Sequence, residues 1–329
     1  MRPFVHAVTV RACSVRLTVV GSGTSQPQPE TPASGLLIET DSTAVLVDCG
    51  QGIIRELMAY RDPRDLDAIV IGHMHADHYI DLISLRYLLP WEGVASAHIP
   101  ILLPPGGKAR LDALAGAISE RPEFFNDAFS LIEYDPTHRI HVGDLTIGFV
   151  AGQHYVPAWG CLVTGPDGAR IAISGDTGPS DGFVAAARGA DVVVAEATLA
   201  NSAFDDPRRG HLTAEEAIEM ADRAGVPRVV LVHFRAELQD RIERACAARP
   251  GALAGRPGLR IEVDSADPRL AAARLTEQGP IHGIGEAVDP QGPDGPLAGG
   301  GPPIHRIVSA SNGAEPDRPA QHIAGVTTN

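Results

Sequence analysis

The chain has 329 residues, 44% of them hydrophobic but only 5% aromatic, so it is long enough to bury a sizeable core of aliphatic side chains. Its formal net charge of −14 disfavours tight, sequence-independent binding to a nucleic-acid backbone, although bound cations can still make a local site attractive to a small anion. The cysteines form no CxxC pair and no uncharged apolar run approaches about 18 residues, so the sequence predicts reduced thiols, no membrane span and a cytoplasmic protein.

Strand-like and helix-like segments alternate along most of the chain. Apolar, β-rich runs predict strands at residues 14–20, 36–40, 44–48, 68–72, 99–103, 145–151, 159–164, 169–174, 191–196 and 228–233. Helical patterns predict helices at residues 50–60, 81–89, 108–118, 213–224, 238–248 and 269–276. Strands mixed with helices in this way indicate a layered α/β architecture.

The two ends of the chain differ from the part between them. Residues 1–13 precede the first predicted strand and are interpreted as an N-terminal extension. Residues 279–329 hold ten Gly and eight Pro without sustained periodicity, which predicts a disordered tail because such a segment buries too little apolar surface. The predicted globular domain therefore covers residues 14–278.

A dense cluster of ligand-type side chains follows the predicted strand at 68–72. Within six residues the chain carries His73, His75, Asp77 and His78. Neutral imidazole and carboxylate are ligands that suit zinc, manganese and iron. The segment is therefore interpreted as a metal-binding loop at a strand end.

Three further ligand-type residues lie at the ends of later strand-like runs. These are His154, Asp176 and His233. Singly, a histidine is more often an ordinary hydrogen-bonded residue, and an Asp before Thr-Gly-Pro is more often a turn former. Because ligands of α/β sheets collect outside strand ends, the three together predict that one site gathers them with the first cluster.

The order His-x-His-x-Asp-His, then His, then Ser-Gly-Asp-Thr, then a strand ending in His resembles the metallo-β-lactamase superfamily. The wider pattern, over about residues 14–248, is similar to its ribonuclease Z-like branch and, more loosely, to its cyclic-nucleotide phosphodiesterases. It includes a Gly-Ser-Gly turn at 21–23, Val-Asp-Cys-Gly at 47–50, Ala-Glu-Ala-Thr-Leu at 195–199 and Gly-His-Leu-Thr at 210–213. The resemblance implies a four-layer αβ/βα sandwich.

The resemblance also implies a ligand set for two metal ions. His73, His75 and His154 would hold one ion. Asp77, His78 and His233 would hold the other, and Asp176 would bridge the two. Two zinc ions are expected, with manganese or iron as alternatives. A homodimer is an expectation of the family only.

Hydrolysis of a phosphodiester by a hydroxide shared between the two ions follows from the same resemblance. Asp77 is a candidate to orient or deprotonate the water. His211 is the candidate proton donor to the leaving oxygen, and Glu196 is the candidate to hold its tautomer. The plainer alternatives are a capping-loop histidine and an ordinary strand-end carboxylate.

Motif spacing and charge also bear on the size of the substrate. Enzymes of this branch that process tRNA carry a long insertion between the third and fourth motifs, whereas His154 and Asp176 are only 22 positions apart here. This spacing and the acidic charge favour a small phosphodiester, such as a cyclic nucleotide or a cyclic sugar phosphate, and Tyr155 or Trp159 could stack on its base or simply pack. A ribonuclease Z-like RNA endonuclease, a lactonase or thioesterase, and a non-catalytic metal-binding protein stay open as alternatives.

Overall fold

The structure, a computed structural model, describes residues 15–89, 99–202, 209–265 and 281–283. Its strands are β1 (Val15–Ser22), β2 (Ser34–Glu39), β3 (Ala44–Val47), β4 (Ala68–Val70), β5 (Ile99–Leu103), β6 (Phe129–Glu133), β7 (Arg139–Val142), β8 (Leu145–Ala151), β9 (Trp159–Thr164), β10 (Arg170–Ile173), β11 (Val192–Glu196), β12 (Arg228–Val232), β13 (Ala252–Ala254), β14 (Arg260–Val263) and β15 (Ile281–Gly283). Its helices are α1 (Ile53–Leu57), α2 (Ala76–Tyr79), α3 (Leu82–Leu88), α4 (Gly107–Ile118), α5 (Asp181–Ala187), α6 (Ala214–Ala224) and α7 (Gln239–Ala248), with 3₁₀ helices at Pro63–Asp65 and Ala236–Leu238.

The strands form two mixed sheets. One has the order β14-β1-β2-β3-β4-β5-β6, and the other has the order β13-β12-β11-β10-β9-β8-β7-β15. The central strands are rich in Val, Ile and Leu and are buried on both faces, which is expected where parallel strands are covered on each side.

Successive side chains of these strands divide between different cores. In β3, Val45 packs between the two sheets, whereas Leu46 packs against helices α1, α3 and α4. In β11, Val194 packs between the sheets, whereas Val193 packs against α5, α6 and α7. This alternation follows from the two-residue period of a strand. It gives four layers, and the predicted αβ/βα sandwich is confirmed.

The strand directions bring the candidate ligands to one edge. β3 and β4 are parallel neighbours, as are β10, β11 and β12, and β8 runs in the same direction as β10 because both are antiparallel to β9. The carboxyl ends of parallel strands meet at one edge of a sheet. The segments that follow β8, β10 and β12 therefore lie at one edge of their sheet. The segment that follows β4 in the other sheet meets this edge, because the Trp159 N–H donates to the Gly72 carbonyl at 3.1 Å.

Several elements lie where local sequence shows no clear pattern. The sequence does not predict β6, β7, β13, β14 or α5. β14 is stabilised by pairing with β1 from the other end of the domain, a contact that no local pattern reveals. The helix predicted at 50–60 is shorter than expected, because Gly52 enters it with a left-handed φ of 85°.

The structure corrects the predicted C-terminal boundary of the domain. Residues 281–283 fall within the predicted tail, but they form β15, which pairs in parallel with β7. Assigning them to a disordered segment is therefore wrong. The predicted N-terminal extension at 1–13, the predicted helix at 269–276 and the other tail residues lie outside the described residues.

Two predictions about cysteines and membrane spans concern the described part of the chain. There, Cys49, Cys161 and Cys246 are free thiols, while Cys13 lies outside it. Burial raises the pKa of the Cys49 thiol well above its usual range. No described helix combines the length and the apolar character that crossing a bilayer requires.

Candidate metal centre

The segment from His73 to His78 leaves β4 and turns at once into the short helix α2. His75 is the residue before the helix, and Asp77 and His78 lie within it. The sequence predicts only a loop at a strand end here, so the helical turn is a refinement. The backbone N–H of Cys49 donates to the His78 carbonyl at 2.7 Å, and a Cβ at Gly50 would lie 1.9 Å from the Asp77 carbonyl oxygen. Only glycine at position 50 allows this close approach.

A first cluster consists of His73, His75 and His154. His75 Nδ1 lies 3.0 Å from His73 Nε2 and also 3.0 Å from His154 Nε2. A ring nitrogen either donates its single proton or accepts at its single lone pair, so these two contacts cannot both be ordinary hydrogen bonds. Three imidazole nitrogens that face a common point are better suited to binding a cation than to hydrogen bonding with one another.

A second cluster consists of Asp77, His78 and His233. Asp77 Oδ2 lies 3.3 Å from His233 Nε2 and 3.7 Å from His78 Nε2. Asp176 is common to both clusters, because its Oδ2 lies between 3.3 and 4.0 Å from one nitrogen of each of four histidines. The structure therefore brings together all seven predicted ligand residues, namely His73, His75, Asp77, His78, His154, Asp176 and His233.

His78 provides the test of whether a metal ion fits. Its Nδ1–H donates to Asp48 Oδ2 at 2.7 Å, since a carboxylate oxygen only accepts. Its Nε2 is fully buried and has no hydrogen-bond partner among the described residues. A buried nitrogen without a partner is costly unless it binds something, and a carboxylate behind the imidazole is the usual support of a metal-ligating histidine. The clusters fit divalent metal ions.

The tautomer of His154 is fixed in the same way. Its Nδ1–H donates to the Gly210 carbonyl at 2.8 Å, which leaves Nε2 to face the first cluster. A Cβ on Gly210 would come within 2.7 Å of His154 Nδ1, so position 210 has little room for a side chain.

The backbone is strained at both sides of the site. Among the described residues, the non-glycine residues with a positive φ are Asp48 at 62° and His233 at 54°. Each costs of the order of 1 kcal/mol, and such strain collects at functional positions. Both residues directly follow buried strands, and the left-handed turn directs their side chains to the site.

The two clusters titrate differently in the metal-free protein. Burial lowers the pKa of His73, His75 and His154, and nearby histidines lower the pKa of each of them further. Histidines of the first cluster are therefore neutral near pH 7.

In the second cluster, nearby carboxylates outweigh burial. Burial disfavours the charged forms of His78 and His233, but Asp176 raises the pKa of both, with Asp48 assisting at His78 and Asp77 at His233. Burial would raise the pKa of Asp176, but His233 and His78 hold it well below its usual range. Histidines of the second cluster therefore keep their protons to higher pH.

Metal loading is expected to release protons from the second cluster but not from the first. A ligating histidine must be neutral, so a raised pKa opposes binding below that pKa and ceases to do so above it. Because the pKa values of His78 and His233 are raised, we expect second-cluster affinity to keep rising with pH above the usual titration range of histidine, while first-cluster affinity stays nearly constant there. Calorimetric titration of metal-free protein in two buffers of different ionisation enthalpy measures this. Equal proton release for both ions would contradict it.

The candidate acid lies beside both clusters. The Nδ1–H of His211 donates to Glu196 Oε1 at 2.9 Å, and the His211 ring centroid lies 4.9 Å from that of His154 and 5.9 Å from that of His233. The His211 side chain is 18% exposed, so solvent or a substrate reaches it. Glu196 is 1% exposed and also accepts from the backbone N–H of Thr177 at 2.8 Å. The predicted pair is thus formed, while its roles stay predictions.

Asp48 and Thr198 contact the site without having been predicted to do so. Asp48 supports His78 and also accepts from the Gly72 N–H at 3.0 Å. A carboxylate directly after the buried strand β3 was the available signal for Asp48. Thr198 Oγ1 lies 2.8 Å from His233 Nδ1, and its place in the Ala-Glu-Ala-Thr-Leu motif did not indicate that contact.

The two aromatic residues considered for stacking differ in their surroundings. Tyr155 is 56% exposed, and its ring centroid lies 5.7 Å from that of His211. Trp159 is partly buried and packs against the core between the sheets, edge-on to Tyr134. Only Tyr155 of the two is placed to meet a ligand at the site.

Comparison with known protein families settles the family. The model of the Beta-lactamase superfamily domain matches residues 43–234, which cover more than half of the chain and include both clusters. The chain belongs to the metallo-β-lactamase superfamily. It is thus a hydrolase of a superfamily whose fold implies divalent metal ions, and its two His/Asp clusters are where such ions fit.

Relatives and solved structures agree with this. An uncharacterized protein of Mycobacterium tuberculosis is 33% identical over 67% of this chain and 81% of its own length. A protein named ribonuclease Z from Gemmatimonas aurantiaca is 27% identical over 74% of this chain and 94% of its own.

The solved structures share the fold. The metallo-β-lactamase fold protein YhfI of Bacillus subtilis covers 75% of this chain and 99% of its own at 23% identity, with a TM-score of 0.64. A diphosphatase from the PhnP family covers 75% of this chain and 97% of its own at 19% identity, with a TM-score of 0.61. At these identities the likeness shows the superfamily fold alone.

Proposed function

We propose that this protein is a binuclear, zinc-dependent phosphodiesterase that hydrolyses a small phosphodiester, such as a cyclic nucleotide or a cyclic sugar phosphate. The observation that carries the proposal is the hydrogen-bonded pair of His211 and Glu196 beside the two clusters. Zinc suits a site of imidazole and carboxylate ligands, and manganese or iron would suit it too.

His211 supplies the proton that a phosphodiester leaving group needs. Glu196, bonded to Nδ1, stabilises the imidazolium form and directs Nε2–H away from itself, so that this proton is available to the leaving oxygen. Divalent ions held by the clusters would supply a Lewis acid that polarises the phosphoryl group and acidifies water. Asp77, buried in the second cluster, is proposed to orient that water.

The short segment between His154 and Asp176 supports a small substrate. The hairpin of β9, β10 and the turn between them occupies most of the stretch between His154 and Asp176, which leaves no inserted arm there for a large RNA. The formal charge of −14 also opposes wide contact with a nucleic-acid backbone. The Tyr155 side chain is exposed and lies beside His211, so its ring is available to stack on a planar group of the substrate.

An RNA endonuclease is the second candidate, because relatives named ribonuclease Z match 67–74% of the chain. An acyl hydrolase such as a lactonase or thioesterase needs no acid of the His211 type at this place. A non-catalytic metal-binding protein would bind ions in the same clusters without turnover.

A substrate panel tests the proposal. Zinc-loaded protein is incubated with cyclic AMP, other cyclic nucleotides, cyclic ribose phosphate, a pre-tRNA, a lactone and a thioester, and the products are identified. We expect one or more of the small phosphodiesters to be hydrolysed, and chelator-treated protein to be inactive as the matched control. Cleavage of the pre-tRNA alone, of acyl substrates alone, or of none would overturn the proposal.

A further inference from the structure

We infer that Thr198 is a positioning residue that joins Glu196 to His233, so that one buried carboxylate orients both the candidate acid and a ligand of the second cluster. The inference concerns the proposed site and rests on the function proposed for it. No role in the chemistry itself is assigned to Thr198.

The hydroxyl of Thr198 has three polar neighbours but only one proton. Its Oγ1 lies 2.7 Å from Glu196 Oε2, 2.8 Å from His233 Nδ1 and 2.9 Å from the His233 carbonyl oxygen. The carboxylate is the shortest and most strongly charged acceptor, so the hydroxyl donates to it. An oxygen lone pair then accepts from His233 Nδ1–H.

The backbone fixes Thr198 between the two histidines. On one side, the Ala197 N–H donates to the Val232 carbonyl at 2.9 Å, next to His233. On the other side, the Leu199 N–H donates to the Leu212 carbonyl at 2.9 Å, next to His211. The position between these two bonds therefore has little freedom to move relative to either imidazole.

The two oxygens of Glu196 thus serve two different rings. Oε1 accepts directly from His211 Nδ1–H, and Oε2 accepts from the hydroxyl that in turn holds His233 Nδ1–H. With its proton held on Nδ1, neutral His233 presents an unprotonated Nε2 to the second cluster. Without the hydroxyl, the tautomer and the ring orientation of His233 would no longer be constrained. His211 would keep its hydrogen bond to Glu196.

The decisive comparison is between Thr198→Val, which keeps the shape without the hydroxyl, and Thr198→Ser, which keeps the hydroxyl. Zinc affinities are measured on metal-free protein by competition with a chromophoric chelator, and folding is followed by circular dichroism. We expect Thr198→Val to weaken one of two zinc sites by about 10–100-fold, the usual effect of losing a support behind a ligand, and Thr198→Ser to retain the affinity. Thr146→Val is the control, because Thr146 Oγ1 lies 3.0 Å from His141 Nδ1, outside the clusters.

A second measurement uses wild-type protein and therefore does not depend on whether a variant folds. Nitrogen-15 spectra of zinc-loaded wild-type protein should show an exchange-protected proton on His233 Nδ1. Its absence, unchanged zinc affinity in Thr198→Val, or an equal loss in Thr198→Ser would each overturn the inference. If zinc affinity falls as expected but wild-type protein hydrolyses no phosphodiester, the proposed function fails while the link from Thr198 to His233 stands.

Discussion

Replacing Asp176 with alanine is expected to lower hydrolysis by at least about 10³-fold, since supports behind metal ligands alone are worth about 10–100-fold and this residue is itself placed as a ligand. Its Oδ2 is the oxygen that lies near histidines of both clusters. Without it, the two sites lose their shared ligand, and the positive charges favoured on His78 and His233 lose their main partner. Elemental analysis should fall from about two zinc ions per chain to one or fewer.

The matched control is Asp112→Ala, which removes an exposed carboxylate that pairs with Lys108 on α4. This variant should keep its metal and its activity. A second variant, Asp176→Asn, keeps the side-chain shape and separates the loss of charge from the creation of a cavity. If Asp176→Ala retained two zinc ions, the assignment of a shared carboxylate would be wrong.

The second large effect is expected from His211→Ala. Removal of a general acid costs about 10²–10⁴-fold, and the cost depends on how badly the leaving group needs a proton. Turnover of a cyclic nucleotide, whose leaving oxygen is an alkoxide, should fall by that amount. Turnover of bis-p-nitrophenyl phosphate, whose leaving group is stable without a proton, should fall far less. Initial rates on both substrates give the comparison.

The same experiment separates an acid from a ligand, because one atom each of Asp176, His211 and His233 lies within 4.8 Å of the others. If His211 bound metal, its removal would lower zinc content and slow both substrates alike. His138→Ala is the control, since His138 Nδ1 bonds Asp135 Oδ2 at 2.9 Å in a similar pair away from the clusters. Unchanged turnover of the cyclic nucleotide in His211→Ala would rule out a proton donor at this position.

The sequence predicts much of the site because its ligands follow recognisable strands. His73 follows an apolar run in one sheet, and Asp176 and His233 follow apolar runs in the other, so strand ends alone indicated the candidate ligands. Asp48 and Thr198 escaped prediction because their roles depend on which strand is the neighbour in space. Thr198 meets His233 only because β11 pairs with β12.

Strands β13 and β14 were not predicted, and the physical reason is the same for both. β13 has only three residues, and β14 alternates exposed and buried positions at a sheet edge, so neither shows the continuous apolar run of the central strands. Their stability comes from pairing with distant strands rather than from local preference. The helix predicted at 50–60 forms only over Ile53–Leu57, since Gly52 adopts a left-handed conformation immediately before it.

Because His73 and His78 extend from one sheet while His154, Asp176 and His233 extend from the other, any cation bound among them acts as a cross-link between the two halves of the sandwich. Pulling the halves apart then requires the ion to leave. A ligand at 100 times its dissociation constant adds about 2.7 kcal/mol to the free energy of unfolding. We therefore expect the free energy of unfolding of this protein to rise and fall with the concentration of available metal.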